Sequence, residues 1–220
     1  MVSRDPGPRS GVAWGWFVPW LAFVAYAVFV APPDDPTLLP ALLRADLGRG
    51  DPSVVAVFNL LGVVPVLASR FVLDDGASRK LPAWPFAAGM FALGAFALLP
   101  WFALRSAFGP RSVPRAPGRV RRLLASPRMA WGLVVVAVGL TTWGAIAGHG
   151  AAYAAAFRTT KLVHVMTIDL VVCSALLVVL AREAHGGGDA LARLRWIPLF
   201  GVALENALRH GSQISRRTSS

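Results

Sequence analysis

The sequence predicts an all-α polytopic membrane helix bundle with five transmembrane helices and a short sixth helix, which either crosses the membrane or lies at its interface. Charged residues make up 15% of the 220 residues, whereas soluble domains carry about 25%. The mean hydropathy is +0.57, and several apolar runs approach the roughly 20 residues that one helical crossing requires. Together these observations argue against a soluble domain.

The excess of basic residues, a net charge of +11, would suggest nucleic-acid binding in a soluble chain. Here the arginines lie between the apolar runs, where they set topology and meet anionic lipid. The sequence has no basic stretch interleaved with aromatic residues that would indicate a nucleic-acid groove. We therefore expect the lipid bilayer, and not nucleic acid, as the partner of these charges.

The first span is predicted over residues 12–31, after a polar tail at 1–11. Its apolar part is longer than the core of a signal peptide and has no small-residue cleavage site, so we expect the helix to be retained. The following PPDDP motif ends it, because proline cannot continue a helix and paired aspartates require water. Residues 37–52 carry a leucine stripe that predicts a short interfacial helix.

Two more spans complete a three-span N-terminal half, residues 12–104. Ser53 is a candidate N-cap for span two, which covers residues 54–73. Span three covers residues 83–104 and contains Gly94 near its middle. Small residues in this span would allow another helix to approach closely.

The segment 105–128 contains seven arginines and no acidic residue, and proline and glycine interrupt it repeatedly. It is predicted to be a loop on the cytoplasmic or stromal side, as the positive-inside rule requires. With three spans before it, the N-terminus would lie on the opposite side. The arginines expected to set topology and to meet lipid are Arg111, Arg115, Arg119, Arg121, Arg122 and Arg128.

The C-terminal half, residues 129–210, is predicted to contain two or three spans. Span four covers residues 129–148 and span five covers 161–181. The last apolar segment, 196–210, is only marginally long enough to cross, so it is either a short sixth span or an interfacial or re-entrant helix. A polar tail, 211–220, follows.

Enzyme signatures are missing from the sequence. It contains no H-E-x-x-H helix, no glycine-rich phosphate loop and no G-x-S-x-G motif, so we expect neither catalysis nor a metal centre. His149 and His164 lie at neighbouring ends of spans four and five and could together ligate haem or chlorophyll. Solvated histidines at helix ends explain the same two residues, and we therefore expect no cofactor.

Asp169 is the candidate functional residue, because it lies well inside an apolar span. A charged aspartate at the membrane centre costs at least about 2.5–3.5 kcal/mol, so it should face protein or water. It could be a hydrogen-bond lock between helices or a coupling acid for transport. His164 lies about 140° away around the helix and shares no face with it. The candidate partners of Asp169 are Asn59, Thr141, Thr142 and Arg70.

Glu205 and Asn206 lie in the last apolar segment. If that segment is interfacial, both side chains face water. If it crosses the membrane, Glu205 becomes a second intramembrane acid and could join Asp169, Asn59 and His164 along a transport path. The single cysteine, Cys173, is expected to be a packing residue.

Several stretches resemble a family of small multi-span integral membrane proteins of cyanobacteria and chloroplasts. They are FVPWLAFVAYAVFVAPPDDP, VFNLLGVVPVLASRFVL and LPAWPFAAGMFALGAFALLPWFALR in the first half, and TKLVHVMTIDL and WIPLFGVALENALRH in the second. The last stretch departs from the family pattern at Glu205 and Asn206. The resemblance implies a plastid (thylakoid or envelope) or cyanobacterial membrane and provides no catalytic residues.

Two functions remain as expectations. The first is a non-catalytic scaffold, assembly or accessory component of a membrane complex with a membrane-protein partner, and the resemblance implies that this complex is photosynthetic. The second is a small ion or metabolite transporter that uses Asp169 as its coupling acid.

Overall fold

The computed structural model describes residues 13–44, 51–77, 80–108, 118–186, 190–197 and 200–218, and within these ranges all regular elements are helices. The helices are α1 Trp14–Phe29, α2 Leu38–Leu43, α3 Pro52–Ala77, α4 Trp84–Leu93, α5 Ala95–Leu104, α6 Arg119–Leu124, α7 Pro127–Ala147, α8 Gly150–Thr159, α9 Lys161–His185 and α10 Gly201–Thr218, with a 3₁₀ helix Ala190–Trp196 before α10. The predicted tail 1–11, Arg111 and Arg115 lie outside the described residues.

Three of the described helices, α3, α7 and α9, are long and apolar enough to cross a membrane. The helix α3 packs against both of the others and forms the centre of the bundle. The helix α1 is apolar but has only 16 residues, which corresponds to a length of about 24 Å. The all-helical membrane fold is thus supported, whereas the count of five spans plus a sixth is not confirmed.

The prediction of span three as one membrane-crossing helix is wrong. At Gly94 the backbone takes φ 50° and ψ −124° and separates α4 from α5. The ring centroids of Phe86 and Trp101 lie 5.4 Å apart, whereas fifteen residues of continuous helix would separate them by about 22 Å. A Cβ built on Gly89 would lie 3.2 Å from the Cβ of Ala97. The helices α4 and α5 therefore fold back on each other as a hairpin.

Both ends of this hairpin lie at one end of the bundle, beside the last turn of α3. Gly76 in that turn packs against Ala83, next to the start of α4, and against Trp101 in α5. Arg105, after α5, pairs with Glu183 near the end of α9 at 2.6 Å. The hairpin thus enters and leaves the bundle from the same side, which makes it re-entrant.

The end of the bundle that contains Arg105 is here called the basic end, and the opposite end is called the neutral end. The start of α1 lies at the basic end, because the Ala13 N–H donates to the Ala103 carbonyl at 2.9 Å. The neutral end contains the segment after α1 and the start of α9, joined by the Lys161 N–H and the Pro33 carbonyl at 2.9 Å.

The two ends differ in charge among the described residues. The basic side chains at the basic end are Arg70, Lys80, Arg105, Arg119, Arg121, Arg122, Arg128, Arg182, Arg193, Arg195 and Arg209, with the acids Asp74, Asp75, Glu183 and Glu205. Those at the neutral end are Arg44, Arg158 and Lys161, with the acids Asp34, Asp35 and Asp51. The positive-inside rule predicts that the basic end lies on the cytoplasmic side of the membrane.

This distribution corrects the predicted topology, in which the N-terminus and the arginine-rich loop lay on opposite sides. Because the hairpin returns to the side from which it starts, α1 begins at the same end as the segment that follows α5. The acidic PPDDP segment then lies at the neutral end, away from the arginines.

Two connecting segments contain short helices. The helix α6 lies within the arginine-rich segment and is tied to α3 by an ion pair of Arg121 with Asp74 at 2.8 Å. The helix α8 joins α7 to α9. The last helix was predicted over residues 196–210, but α10 begins and ends later, at Gly201–Thr218. The helix α10 does not belong to the helices long and apolar enough to span a membrane.

Candidate functional site

Asp169 lies at the tip of the re-entrant hairpin, deep in the bundle. It is the ninth residue of the 25-residue helix α9, about 12 Å from the start of that helix, and it is 6% exposed. Its Oδ1 accepts a hydrogen bond of 2.7 Å from the Ala95 N–H, the first of α5, and a longer contact of 3.8 Å from the Cys173 thiol. The first N–H groups of a helix have no acceptor within it, and the helix dipole favours an anion there. Asp169 therefore caps α5.

Gly94 allows this contact in two ways. Its φ of 50° lies in the left-handed region that favours glycine. In addition, a Cβ on Gly94 would overlap the Asp169 carboxylate. The hairpin tip and the buried acid thus depend on the same residue.

A cavity of about 370 Å³ lies beside this tip, and Asp169 is part of its wall. It exists because each arm of the hairpin has ten residues, which reach only about 15 Å, half of a hydrocarbon core. The walls are mainly apolar and include Phe58, Phe91 and Met166. Both hydrogen bonds of the carboxylate end on Oδ1, so Oδ2 has no hydrogen-bond partner among the described residues. It lies against Gly94, which is also part of the cavity wall.

Asn59 lines the same cavity, so the structure brings two of the predicted site residues together. Its amide donates to the Val55 carbonyl of its own helix at 2.8 Å and does not bond Asp169. Thr141 also bonds its own helix, at the Ala137 carbonyl. The hydrogen-bond donor to Asp169 is therefore the backbone N–H of Ala95 and not one of the predicted side chains.

Arg70, another predicted partner of Asp169, lies elsewhere. It lines a separate charged cavity at the basic end with Asp74, Asp75 and Arg105. That cavity shares no residue with the one beside Asp169.

His164 joins α1, α8 and α9 and is not part of the cavity wall. Its Nε2 is hydrogen-bonded to the Tyr26 hydroxyl, and its Nδ1 lies 2.8 Å from the Phe157 carbonyl. An axial ligand must give one ring nitrogen to the iron, and both ring nitrogens of His164 are engaged. His149 belongs to a different cluster, where its ring lies 3.3 Å from Asp51. This arrangement does not favour the alternative in which the two histidines together ligate haem or chlorophyll.

Asp51, and not the predicted Ser53, caps α3. The Asp51 Oδ1 accepts the Ser53 N–H at 2.9 Å, with Pro52 at the first helical position, where proline is favoured. The other oxygen accepts the His149 N–H at 2.9 Å. The Ser53 hydroxyl instead donates to the Gly144 carbonyl of α7 at 2.9 Å. Burial raises the pKa of Asp51, but these hydrogen bonds outweigh it, so the net pKa lies below the ordinary 3.8.

Replacing Asp51 by alanine is expected to lower the free energy of unfolding by about 1 kcal/mol, the usual loss of an N-cap. Because the pKa is depressed in the folded protein, the contribution is complete above pH 3.8 and decreases as the pH falls through the folded-state pKa. Thermal unfolding in detergent at several pH values measures the gap between wild type and Asp51→Ala. An equally large gap for Asp34→Ala, whose side chain is exposed at the same end, would contradict this role.

Glu205 lies in a buried ion-pair cluster at the basic end, outside the three candidate spans. Glu205 is 0% exposed and Arg195 is 2% exposed. The guanidinium of Arg195 binds both carboxylate oxygens, at 2.5 Å and 2.9 Å. Arg209 adds a bond of 2.8 Å from the next turn of α10, and Arg195 also donates to the Gly186 carbonyl. The cluster fastens the 3₁₀ helix to α10 and to the end of α9.

Sequence reasoning missed Arg195, because residues 182–195 are predicted from the sequence to be only a flexible polar link with a short helical end. The sequence signal that could have indicated Arg195 is Glu205. Glu205 stands in an apolar segment, and a buried carboxylate requires a cation. Asn206, 1% exposed, is buried beside it on α10, so neither residue faces water.

The chain matched no protein-family model, no curated protein and no solved structure in the three comparisons. The resemblance to membrane proteins of cyanobacteria and chloroplasts therefore stays a prediction. The membrane location rests on α3, α7 and α9.

Proposed function

We propose that the protein is a non-catalytic integral membrane protein that holds a lipid-soluble molecule in the cavity beside the hairpin tip. The observation that carries this proposal is that Oδ2 of Asp169 has no partner among the described residues, while Asp169 lines a mainly apolar cavity. The ligand class that fits is an apolar molecule with one hydrogen-bond donor, such as a long-chain alcohol. A volume of about 370 Å³ is typical of small-molecule sites.

The mouth of the cavity supports entry from the lipid phase. Leu39 and Phe91 line the cavity and are 43% and 58% exposed at the outer surface of the bundle. An apolar ligand would pass between them without leaving the hydrocarbon. Once inside, a hydrogen bond to the charged acceptor is worth about 1.5–3 kcal/mol, which selects donor-bearing molecules from the surrounding lipid.

A protein that binds such a ligand would act as an accessory component for a membrane complex that uses the ligand. The plastid or cyanobacterial membrane and the photosynthetic complex implied by the resemblance belong to the same proposal. The partner complex would receive the ligand or be assembled with it.

A second candidate, transport with Asp169 as the coupling acid, is favoured by one feature. Discontinuous helices whose half-helix N-termini point to the membrane centre are characteristic of transporter binding sites, and α5 has this arrangement. However, Asp169 and Asn59 are the only ionisable or amide side chains in the described cavity wall. Apolar walls suit a lipid-soluble ligand better than a hydrated ion.

Asp169→Asn provides a sharp test, because the amide oxygen can keep the bond from Ala95 while the amide nitrogen turns a donor toward the cavity. We expect the wild type to bind 1-dodecanol about tenfold more tightly than dodecyl methyl ether, which has no donor. The asparagine variant should lose this preference. Radiolabelled probe binding to the full chain in detergent measures both affinities.

Two further variants complete this test. Gly62 lines the cavity and has open space at its Cβ position, so Gly62→Leu should reduce the binding of both probes. Gly139→Leu, also at an open position but on α7, should leave both unchanged. Equal affinities for alcohol and ether in the wild type would refute the binding role. Proton uptake into liposomes that is lost in Asp169→Asn would instead favour transport.

A further inference from the structure

A second cavity, of about 440 Å³, lies between α9 and the start of α10. We call it the lipid-facing groove, and it shares no residue with the cavity beside Asp169. Its α9 wall includes Ala175, Val178 and Val179, and Ile197 and Val202 lie on the other side. Its long apolar wall therefore faces the hydrocarbon half of the leaflet at the basic end.

The groove has a cation at its outer end. Ala175, Val178, Val179 and Arg182 share one helix face, because residues three, four and seven positions apart are neighbours on a helix. The side chain of Arg182 is exposed and has no hydrogen bond or ion pair with any described residue. Arg195, which also lines the groove, is in contrast buried and satisfied by Glu205.

An aromatic residue marks the level of the headgroups. Trp196 lines the groove and is 66% exposed, as is typical of tryptophan at a membrane interface. Along the groove, apolar side chains are thus followed by an interfacial tryptophan and by the exposed guanidinium of Arg182, for which the described part of the chain provides no partner. This order matches the acyl chain, the glycerol region and the phosphate of a phospholipid.

We propose that the lipid-facing groove binds an anionic glycerophospholipid, with one acyl chain along Ala175–Val179 and the phosphate at Arg182. Charge complementarity favours an anionic occupant, because the basic end has eleven basic and four acidic side chains among the described residues. The cytoplasmic leaflet, which the basic end faces, is also the one rich in anionic lipid. An apolar partner helix would make no use of the exposed guanidinium at the end of the groove.

Native mass spectrometry of the full chain in detergent tests this proposal with an equimolar mixture of dioleoyl phosphatidylglycerol and dioleoyl phosphatidylcholine. We expect phosphatidylglycerol to be retained roughly fivefold over phosphatidylcholine, the contribution of about one interfacial arginine. Arg182→Gln should reduce this ratio to about one. Arg128→Gln, which removes an exposed arginine at the same end but outside the groove, should leave it unchanged.

A separate variant tests the part of the groove that would hold the acyl chain. Ala175→Trp should fill the groove and lower the retention of both lipids, while the helical content measured by circular dichroism stays the same. Equal retention of the two lipids by the wild type would overturn the proposal, and so would equal losses in Arg182→Gln and Arg128→Gln. A protein partner that Ala175→Trp displaces, with lipid retention unchanged, would assign the groove to that partner and overturn it as well.

Discussion

Replacing Glu205 by glutamine is expected to lower the free energy of unfolding by about 3–5 kcal/mol, because it leaves Arg195 buried without its counter-charge. Both side chains are almost fully buried, and the guanidinium binds both oxygens of the carboxylate. A neutral amide can accept only one of these bonds and carries no charge. Denaturant unfolding in detergent, followed by circular dichroism, measures the loss.

A double variant separates the net contribution of the ion pair to stability from the cost of leaving one charge buried without its partner. Arg195→Met combined with Glu205→Leu removes both charges and fills similar volume, so it should be more stable than either single variant. Glu183→Gln is the matched control, since it breaks an exposed ion pair with Arg105 at the same end, and such pairs contribute about 0–1 kcal/mol. A Glu205→Gln variant that loses no more than this control would show that the cluster is not the anchor of α10.

Much of the fold is contained in the hydropathy of the sequence. The apolar stretches at 12–31, 54–73, 129–148 and 161–181 correspond to α1, α3, α7 and α9, because a hydrocarbon core sets the length and composition of a crossing helix. The short helix predicted in 37–52 is present as α2, and PPDDP ends α1 as proline and aspartate require. These features depend on local composition and need no tertiary partner.

The hairpin was not predictable in the same way. One helix over 83–104 and two half-helices contain the same apolar residues, so hydropathy does not distinguish them. The decision is tertiary, since Asp169 of α9 provides the acceptor for the α5 N-terminus and leaves no space for a side chain at Gly94. The usable sequence signal was an apolar segment interrupted by glycine near its middle.

The candidate site, too, could be predicted only in part from the sequence. The burial of Asp169 was predictable, because an acid inside an apolar span must face protein. Its partner was not, because the candidates were side chains, whereas the donor is a backbone N–H released where α5 begins. The prediction that the N-terminus and the arginine-rich segment lie on opposite sides was wrong for a related reason. Counting 83–104 as a crossing moves the start of α1 to the side opposite the arginines.

Replacing Gly94 by alanine is expected to lower the free energy of unfolding by about 3 kcal/mol or more, because two costs combine. A residue with a Cβ is strained at φ 50°, which costs about 1–3 kcal/mol. The new Cβ would also overlap the Asp169 carboxylate, so the cap of α5 must move and the acid loses its donor. Denaturant unfolding in detergent measures the loss, and dodecanol binding should decrease with it.

Gly62→Ala is the matched control, because Gly62 lies in the same cavity wall, has no neighbour within 4 Å of its Cβ position and sits inside α3. Alanine there should stabilise the helix by up to about 1 kcal/mol. If Gly94→Ala were equally harmless, residues 84–104 would form one helix. Cysteines at Gly89 and Ala97 would then stand about 12 Å apart, too far for a disulfide, whereas in the hairpin their Cβ positions are neighbours and oxidation should join them.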